Sequence, residues 1–210
     1  MAQDIEAKGE PERQDPPALA RLARELPAPA QARPLPPVAQ WNPPFCGDID
    51  MRIARDGAWF YQGTPILRPA LVRLFSTILR KDPDRYVLVT PVERVGILVE
   101  DAPFIAVEME KSGDGPEQLL RFRTNVDDWV TADAEHPLRF ERETESGGVK
   151  PYVLVRGELW ALLARALLMD LVALCEIRAH EGAQCFGVAS AGAFFPLAGA
   201  QELAAIEASL

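Results

Sequence analysis

The chain has 210 residues, 48% hydrophobic and 25% charged, with a formal net charge of -9 and an isoelectric point of about 4.8. That length supports one large domain or two small ones with a proper core, and the acidity argues against the basic face that holds a nucleic acid polymer. Three cysteines, Cys46, Cys175 and Cys185, with no CxxC pair, argue against both a disulfide framework and a zinc site.

The opening MAQDIEAKGE is acidic and polar, so no secretory signal is expected. Residues 1–44 hold 10 of the 19 prolines and few groups that can form a core, which predicts a disordered or extended arm over residues 1–40. Within it Leu19, Leu22, Ala23 and Leu26 share one helical face, as a docking helix or a transient one. Order is expected from Trp41. DIDMRIARDGAWFYQGTPI predicts a hairpin, residues 50–54 and 58–62 around Asp56-Gly57. Pro69 suits a first helical turn, and Leu71, Leu74, Phe75, Ile78 and Leu79 form an apolar stripe at helical spacing.

Strands are predicted over residues 86–90, 95–99 and 104–110. After the glycine-rich break KSGDGPEQ come strands over 119–124, 129–132, 138–142 and 152–156. Beyond Gly157 the apolar run predicts one long helix over 158–177, buried on several sides because it is apolar nearly all round. The longest apolar stretch, residues 159–174, contains Arg165 and Asp170 and is short for a membrane span. The small and aromatic residues of FGVASAGAFFPLAGA suit close packing across a sheet, with a short helix at the end of the chain. The pattern is α+β with largely antiparallel sheets, divided into the arm (1–40), a first half (41–112) and a second half with its tail (113–210).

Two stretches align without a gap: TPVERVGILVEDAPF at 90–104 and TNVDDWVTADAEHPL at 124–138. Thr90 falls on Thr124, Val92 on Val126 and Pro103 on Pro137. Either one unit is written twice, or two similar hairpins sit in an ordinary sheet.

The segments GAWFYQGTPILRPALVRLF, YVLVTPVERVGILVEDAPF, HPL and PYVLVRGELWALLARALL, in that order, resemble a bacterial family known as domain of unknown function 1285. The resemblance covers residues 41–196. It implies a duplicated core of two related α+β halves, the C-terminal one pleckstrin-homology-like, with a groove between them for a nucleotide-like ligand in signalling. No activity is established for that family, so the resemblance leaves the function open. A strand set closed by one long apolar helix fits the pleckstrin-like shape.

Chemical motifs are sparse. There is no GxGxxG, P-loop, HExxH or EF-hand loop, so no cofactor and no metal site is expected. Glu93, Asp101, Asp127, Asp128, Asp133 and Glu135 cluster along the repeat; paired acids can hold Mg²⁺ beside a phosphate, but turn residues and solvated strand faces account for them more simply. His136 has no visible nucleophile partner, and His180, just past the predicted helix, reads as a surface residue. Cys46-Gly47-Asp48 reads as an inert thiol rather than a nucleophile. Arg165, set inside the apolar run, needs a carboxylate partner or a ligand anion, and Arg156 ends the preceding strand.

The expectation is a non-catalytic, cytoplasmic binding module. Its cleft lies between the halves, with Thr90, Glu93 and Asp101 on one side and Asn125, His136, Arg156 and Arg165 near the other. Its ligand is a small anionic or nucleotide-like molecule. The alternative is an adaptor that binds a protein through the pleckstrin-like half or the arm. No membrane partner is expected.

Overall fold

The computed structural model describes residues 35–143 and 148–199. A 3-10 turn, Val38–Gln40, leads into the first sheet. Its strands are β1 (Phe45–Ile53), β2 (Trp59–Tyr61), β3 (Thr64–Pro65), β4 (Leu79–Asp82), β5 (Arg85–Val89) and β6 (Arg94–Val99), with helix α1 (Pro69–Thr77) between β3 and β4. Spatial order is β3-β2-β1-β6-β5-β4, so two antiparallel three-strand meanders meet at a parallel β1–β6 pair. Met51 and Ile53 on β1, and Val95 and Ile97 on β6, turn inward at the two-residue period of a strand. Pro69 opens α1 as expected, and Phe75 from its inner face stacks on Trp59 at 6.2 Å. β4 lies outside the expected strands; its sequence, LRKD, carries no apolar alternation.

The second sheet holds β7 (Phe104–Ser112), β8 (Leu119–Thr124), β9 (Trp129–Thr131), β10 (Leu138–Arg142), β11 (Val149–Arg156) and β12 (Leu159–Leu163), ordered β10-β11-β12-β7-β8-β9. This is the first sheet's plan again: two antiparallel meanders meet at a parallel pair formed by the first and sixth strands. The two halves are therefore similar sheet-rich units, a duplicated α+β core. The division falls at residues 100–103. β7, assigned to the first half from the sequence, is a central strand of the second sheet, and KSGDGPEQ is the β7–β8 connection.

The duplication does not follow the aligned stretches. Residues 90–104 contain β6, the sixth strand of its sheet; residues 124–138 contain β9, the third strand of the other. What they share is a local turn. Thr90 Oγ1 accepts hydrogen bonds from the N–H groups of Val92 (3.3 Å) and Glu93 (3.1 Å). Thr124 Oγ1 accepts from those of Val126 (3.3 Å) and Asp128 (3.1 Å). A threonine hydroxyl standing in for a backbone acceptor recurs wherever a chain reverses.

The expected long helix over 158–177 is three elements. Leu159, Ala161 and Leu163 are buried and alternate with half-buried Trp160 and Leu162, the signature of strand β12. Helix α2 (Arg165–Ala173) follows, burying Leu167 and Leu171 while Met169 is 71% exposed. Strand β13 (Glu176–His180) then begins a third sheet with β14 (Ala183–Ser190) and β15 (Ala193–Gly199). The physical reason is tertiary: β7 and β11 offer the 159–163 segment a ladder on either side, which an apolar run accepts as readily as a helix. His180 accordingly sits in a strand, with its ring 5.5 Å from that of Phe194.

The small-residue tail forms the β14–β15 hairpin, turning at Ala191 and Gly192, both at positive φ as a two-residue type I′ turn requires. It is stitched to the second sheet. The Leu120 N–H donates to Ser190 Oγ (2.9 Å), and the Ala191 N–H to the Gln118 carbonyl (2.9 Å). One core runs through the sheets, with Trp59, Leu88, Phe104, Phe122, Val153 and Leu171 at its centre. Among the described residues, no helix is long and apolar enough to cross a membrane. The expected helix within residues 18–26, most of the arm and the terminal helix lie outside the described residues.

Candidate functional site at the seam between the halves

Besides the ion pair of Arg73 on α1 with Asp127, three sets of contacts tie the halves together. In the first, Asn125 sits where the β1–β2 turn meets β7: the Ile105 N–H donates to its Oδ1 (3.1 Å), and its Nδ2 donates to the Gly57 carbonyl (3.4 Å). A Cβ at Gly57 would lie 2.7 Å from that amide nitrogen and 2.8 Å from Ile105, and φ there is +81°, so position and conformation both call for glycine. In the second, Arg156 leaves the end of β11, pairs with Asp128, donates to the Ser76 carbonyl of α1 (2.8 Å) and rests 5.0 Å above the Phe104 ring. In the third, Asp101, on the 100–103 link, accepts from Tyr152 Oη (2.8 Å) and Lys150 Nζ (3.0 Å). Burial, and then the bond to Asp101, push the Tyr152 hydroxyl well above the usual tyrosine range; the same carboxylate raises Lys150.

A cleft of about 470 Å³ opens along this seam, lined by residues 36–39 and 79–81 of the first half and 156–159 of the second. Arg80 is committed there: it donates to the Val38 carbonyl (2.9 Å), the Trp41 carbonyl (2.7 Å) and Asp82 (2.7 Å), which ties the leading segment to β4. Lys81 lies 4.4 Å over the Tyr86 ring and, among the described residues, makes no ion pair. Burial raises the Tyr86 hydroxyl, opposed by Arg139. Arg139 itself lies 4.2 Å over Trp160.

The seven residues expected to line one cleft do not converge. Thr90 and Glu93 are buried in the β5–β6 turn, where Glu93 Oε1 has no hydrogen-bond partner among the described residues. Asp101 and Asn125 are structural ties at the seam. His136 belongs to a turn in which Asp133 Oδ1 accepts from the N–H groups of Glu135 (2.9 Å) and His136 (2.7 Å) and faces its ring Nδ1 (3.1 Å). Arg156 alone lines the cleft, its charge already met by Asp128. Arg165 is the first residue of α2, exposed, and no buried charge needs explaining. It lines a separate pocket of about 480 Å³ bounded by β11, β12 and α2. Arg80 and Lys81 were missed because their strand was missed; the basic pair inside LRKD was the available signal.

Among the described residues, no three His, Cys, Asp or Glu side chains gather as a metal site. Of the acids singled out earlier, Asp127 pairs with Arg73 and Arg123, Asp128 with Arg156 and Asp101 with Lys150. Cys46 is exposed, and its thiol reaches the Pro44 carbonyl at 3.6 Å; burial pushes the Cys175 thiol up to about 11.

The comparisons with known proteins agree with this division. The model of the DUF1285 N-terminal domain matches residues 36–102, and that of the DUF1285 C-terminal domain matches residues 103–197. A crystal structure of a DUF1285 family protein from Silicibacter pomeroyi DSS-3 is 50% identical, with a TM-score of 0.79 over 89% of this chain and 97% of that one. A DUF1285 family protein from Shewanella baltica OS155 is 29% identical, with a TM-score of 0.48 over 60% of this chain and 91% of that one. No curated protein matches. With both domain models matching in order and meeting at the link between the two sheets, the chain belongs to the DUF1285 family, whose function is unknown.

Proposed function

We propose that this chain is a non-catalytic module that binds a small anionic or nucleotide-like ligand in the seam cleft, in a signalling role within the cytoplasm. The observation that carries the reading is the cleft's charge. In a protein of net charge -9, it gathers Arg80, Lys81 and Arg156 from both halves against one acid, Glu158. Lys81, having no ion pair among the described residues, is the cation best able to meet a phosphate or carboxylate. Lys81 is held over the ring of Tyr86, an aromatic face beside the cleft. Pockets form preferentially where domains meet. With this reading goes a pleckstrin-homology-like second half, supported by a strand set followed directly by one helix. Free thiols at Cys46, Cys175 and Cys185 suit a reducing compartment.

A thermal-shift screen with nucleoside mono- and diphosphates, pyrophosphate and small dicarboxylates tests it, since a ligand that binds only the native state raises the melting temperature. At least one should stabilise the wild type, with the response lost in Lys81→Met and kept in Arg165→Met. No response from the wild type, or an equal one from Lys81→Met, would move the adaptor reading ahead.

A further inference from the structure

The pocket between β11, β12 and the first turn of α2 is a different kind of place from the seam. Its apolar wall comes from Val149, Pro151, Leu162 and Leu168, and its volume of about 480 Å³ is that of a small-molecule site. Leu162 and Leu168 are only half-buried, so apolar surface stays open to the pocket. Among the described residues three charges line it, Glu143, Lys150 and Arg165, and they are not equivalent. Lys150 is held by Asp101 (3.0 Å) and Glu143 (3.5 Å). Arg165 has no hydrogen bond or ion pair among the described residues, whereas Arg52, Arg80, Arg94, Arg123, Arg139 and Arg156 each meet a carboxylate.

We infer that this pocket binds an amphipathic monocarboxylate, its carboxylate forked on the Arg165 guanidinium and its apolar part against Val149, Pro151, Leu162 and Leu168. A planar guanidinium with its donors uncommitted is the group that holds a carboxylate by two parallel hydrogen bonds. The charge count selects a monoanion. Lys150 is already balanced, so a dianion would bring a second negative charge towards Glu143 with no further cation among the described lining residues to meet it. The site shares no lining residue with the seam cleft, so it stands or falls separately from the function proposed above.

Calorimetric titration of the full chain with octanoate tests it, with octanol, octyl phosphate and acetate as comparison probes. Octanoate is expected to bind at one per chain, more tightly than any of the other three. Arg165→Met should weaken it by about tenfold or more, the loss of a charge-assisted hydrogen bond. Lys81→Met should leave it unchanged. Leu168→Phe, which narrows the pocket without adding a polar group, should also weaken it while circular dichroism shows a native spectrum. Octanol binding as tightly as octanoate, or Arg165→Met binding octanoate as well as the wild type, overturns the site. Octyl phosphate binding more tightly overturns the monocarboxylate assignment.

Discussion

Arg156 donates from Nη2 to the carbonyl of Ser76, 2.8 Å away across the seam, joining the end of β11 to the last turn of α1. Its other amino group pairs with Asp128, and both side chains are largely shielded, with 21% and 30% of their area exposed. Arg156→Met keeps most of the stem but leaves Asp128 without its cation and Ser76 without its donor. The expected cost is about 1.5–3 kcal/mol, the range for a hydrogen bond to a charged group. Urea denaturation checks it. A loss under 0.5 kcal/mol would mean that Arg156 contributes little to holding the seam.

The threonine turns should behave as independent local devices. Thr124 is fully buried, and its hydroxyl serves two N–H groups; Thr90 is 4% exposed and does the same in the other sheet. Valine at either position keeps the shape and removes the acceptor, at about 1–2 kcal/mol each. The double variant should lose the sum, since the two sites share no partner. Strong non-additivity in equilibrium unfolding would point to a coupling that the contacts do not contain.

α2 should tolerate change on one side only. Leu171 is fully buried, so Leu171→Asp is expected to prevent folding, as is Leu163→Asp on β12. Met169 is 71% exposed, and Met169→Lys should alter stability by no more than about 0.5 kcal/mol. Soluble expression and melting curves distinguish this from a helix buried all round, for which Met169→Lys would fail as well.

Tyr152 makes stability sensitive to alkali. Its folded pKa lies above the ordinary 10.0, so the folded state keeps a proton that the unfolded chain gives up. That contribution is complete below about pH 10 and is lost as pH rises from there towards the folded pKa. Lys150, raised above 10.5 by Asp101, acts in the same direction. Tyr152→Phe loses the bond to Asp101, at about 1 kcal/mol near pH 8, but should decline less steeply between about pH 10 and pH 12. Parallel declines in urea midpoints for the two proteins would remove Tyr152 from the explanation.

Much of the strand map was legible because turn chemistry is local. Asp56-Gly57, Pro69 and the alternation through β5, β6, β8 and β11 each announce themselves within a few residues. β12 was not legible: Leu159 to Leu163 is apolar at every position, and only its neighbours β7 and β11 make it a strand. β4 was hidden for the opposite reason, since Arg80, Lys81 and Asp82 look like a solvated loop until Arg80 is seen to hold the carbonyls of Val38 and Trp41. The site suffered most. Arg156 was recognisable as a residue in need of a partner, but Asp128 lies 28 positions away and Ser76 80 away, separations that no local pattern encodes. Placing Arg165 in the middle of one long buried helix, rather than at the exposed start of α2, followed from misreading β12.

The parallel pair at the centre of each sheet bears on how the protein is made. Because β1 is zipped to β6 and β7 to β12, each sheet must wait for its last strand before its first is flanked on both sides. On a ribosome, the first sheet can close once residue 99 has emerged, while the carbonyl of Ser76 stays hydrated until Arg156 is synthesised. The 100–103 link then separates two successive folding events rather than two independent domains. A nascent chain stalled between them would display a finished sheet with half of its seam, and half of the cationic cleft, still uncovered.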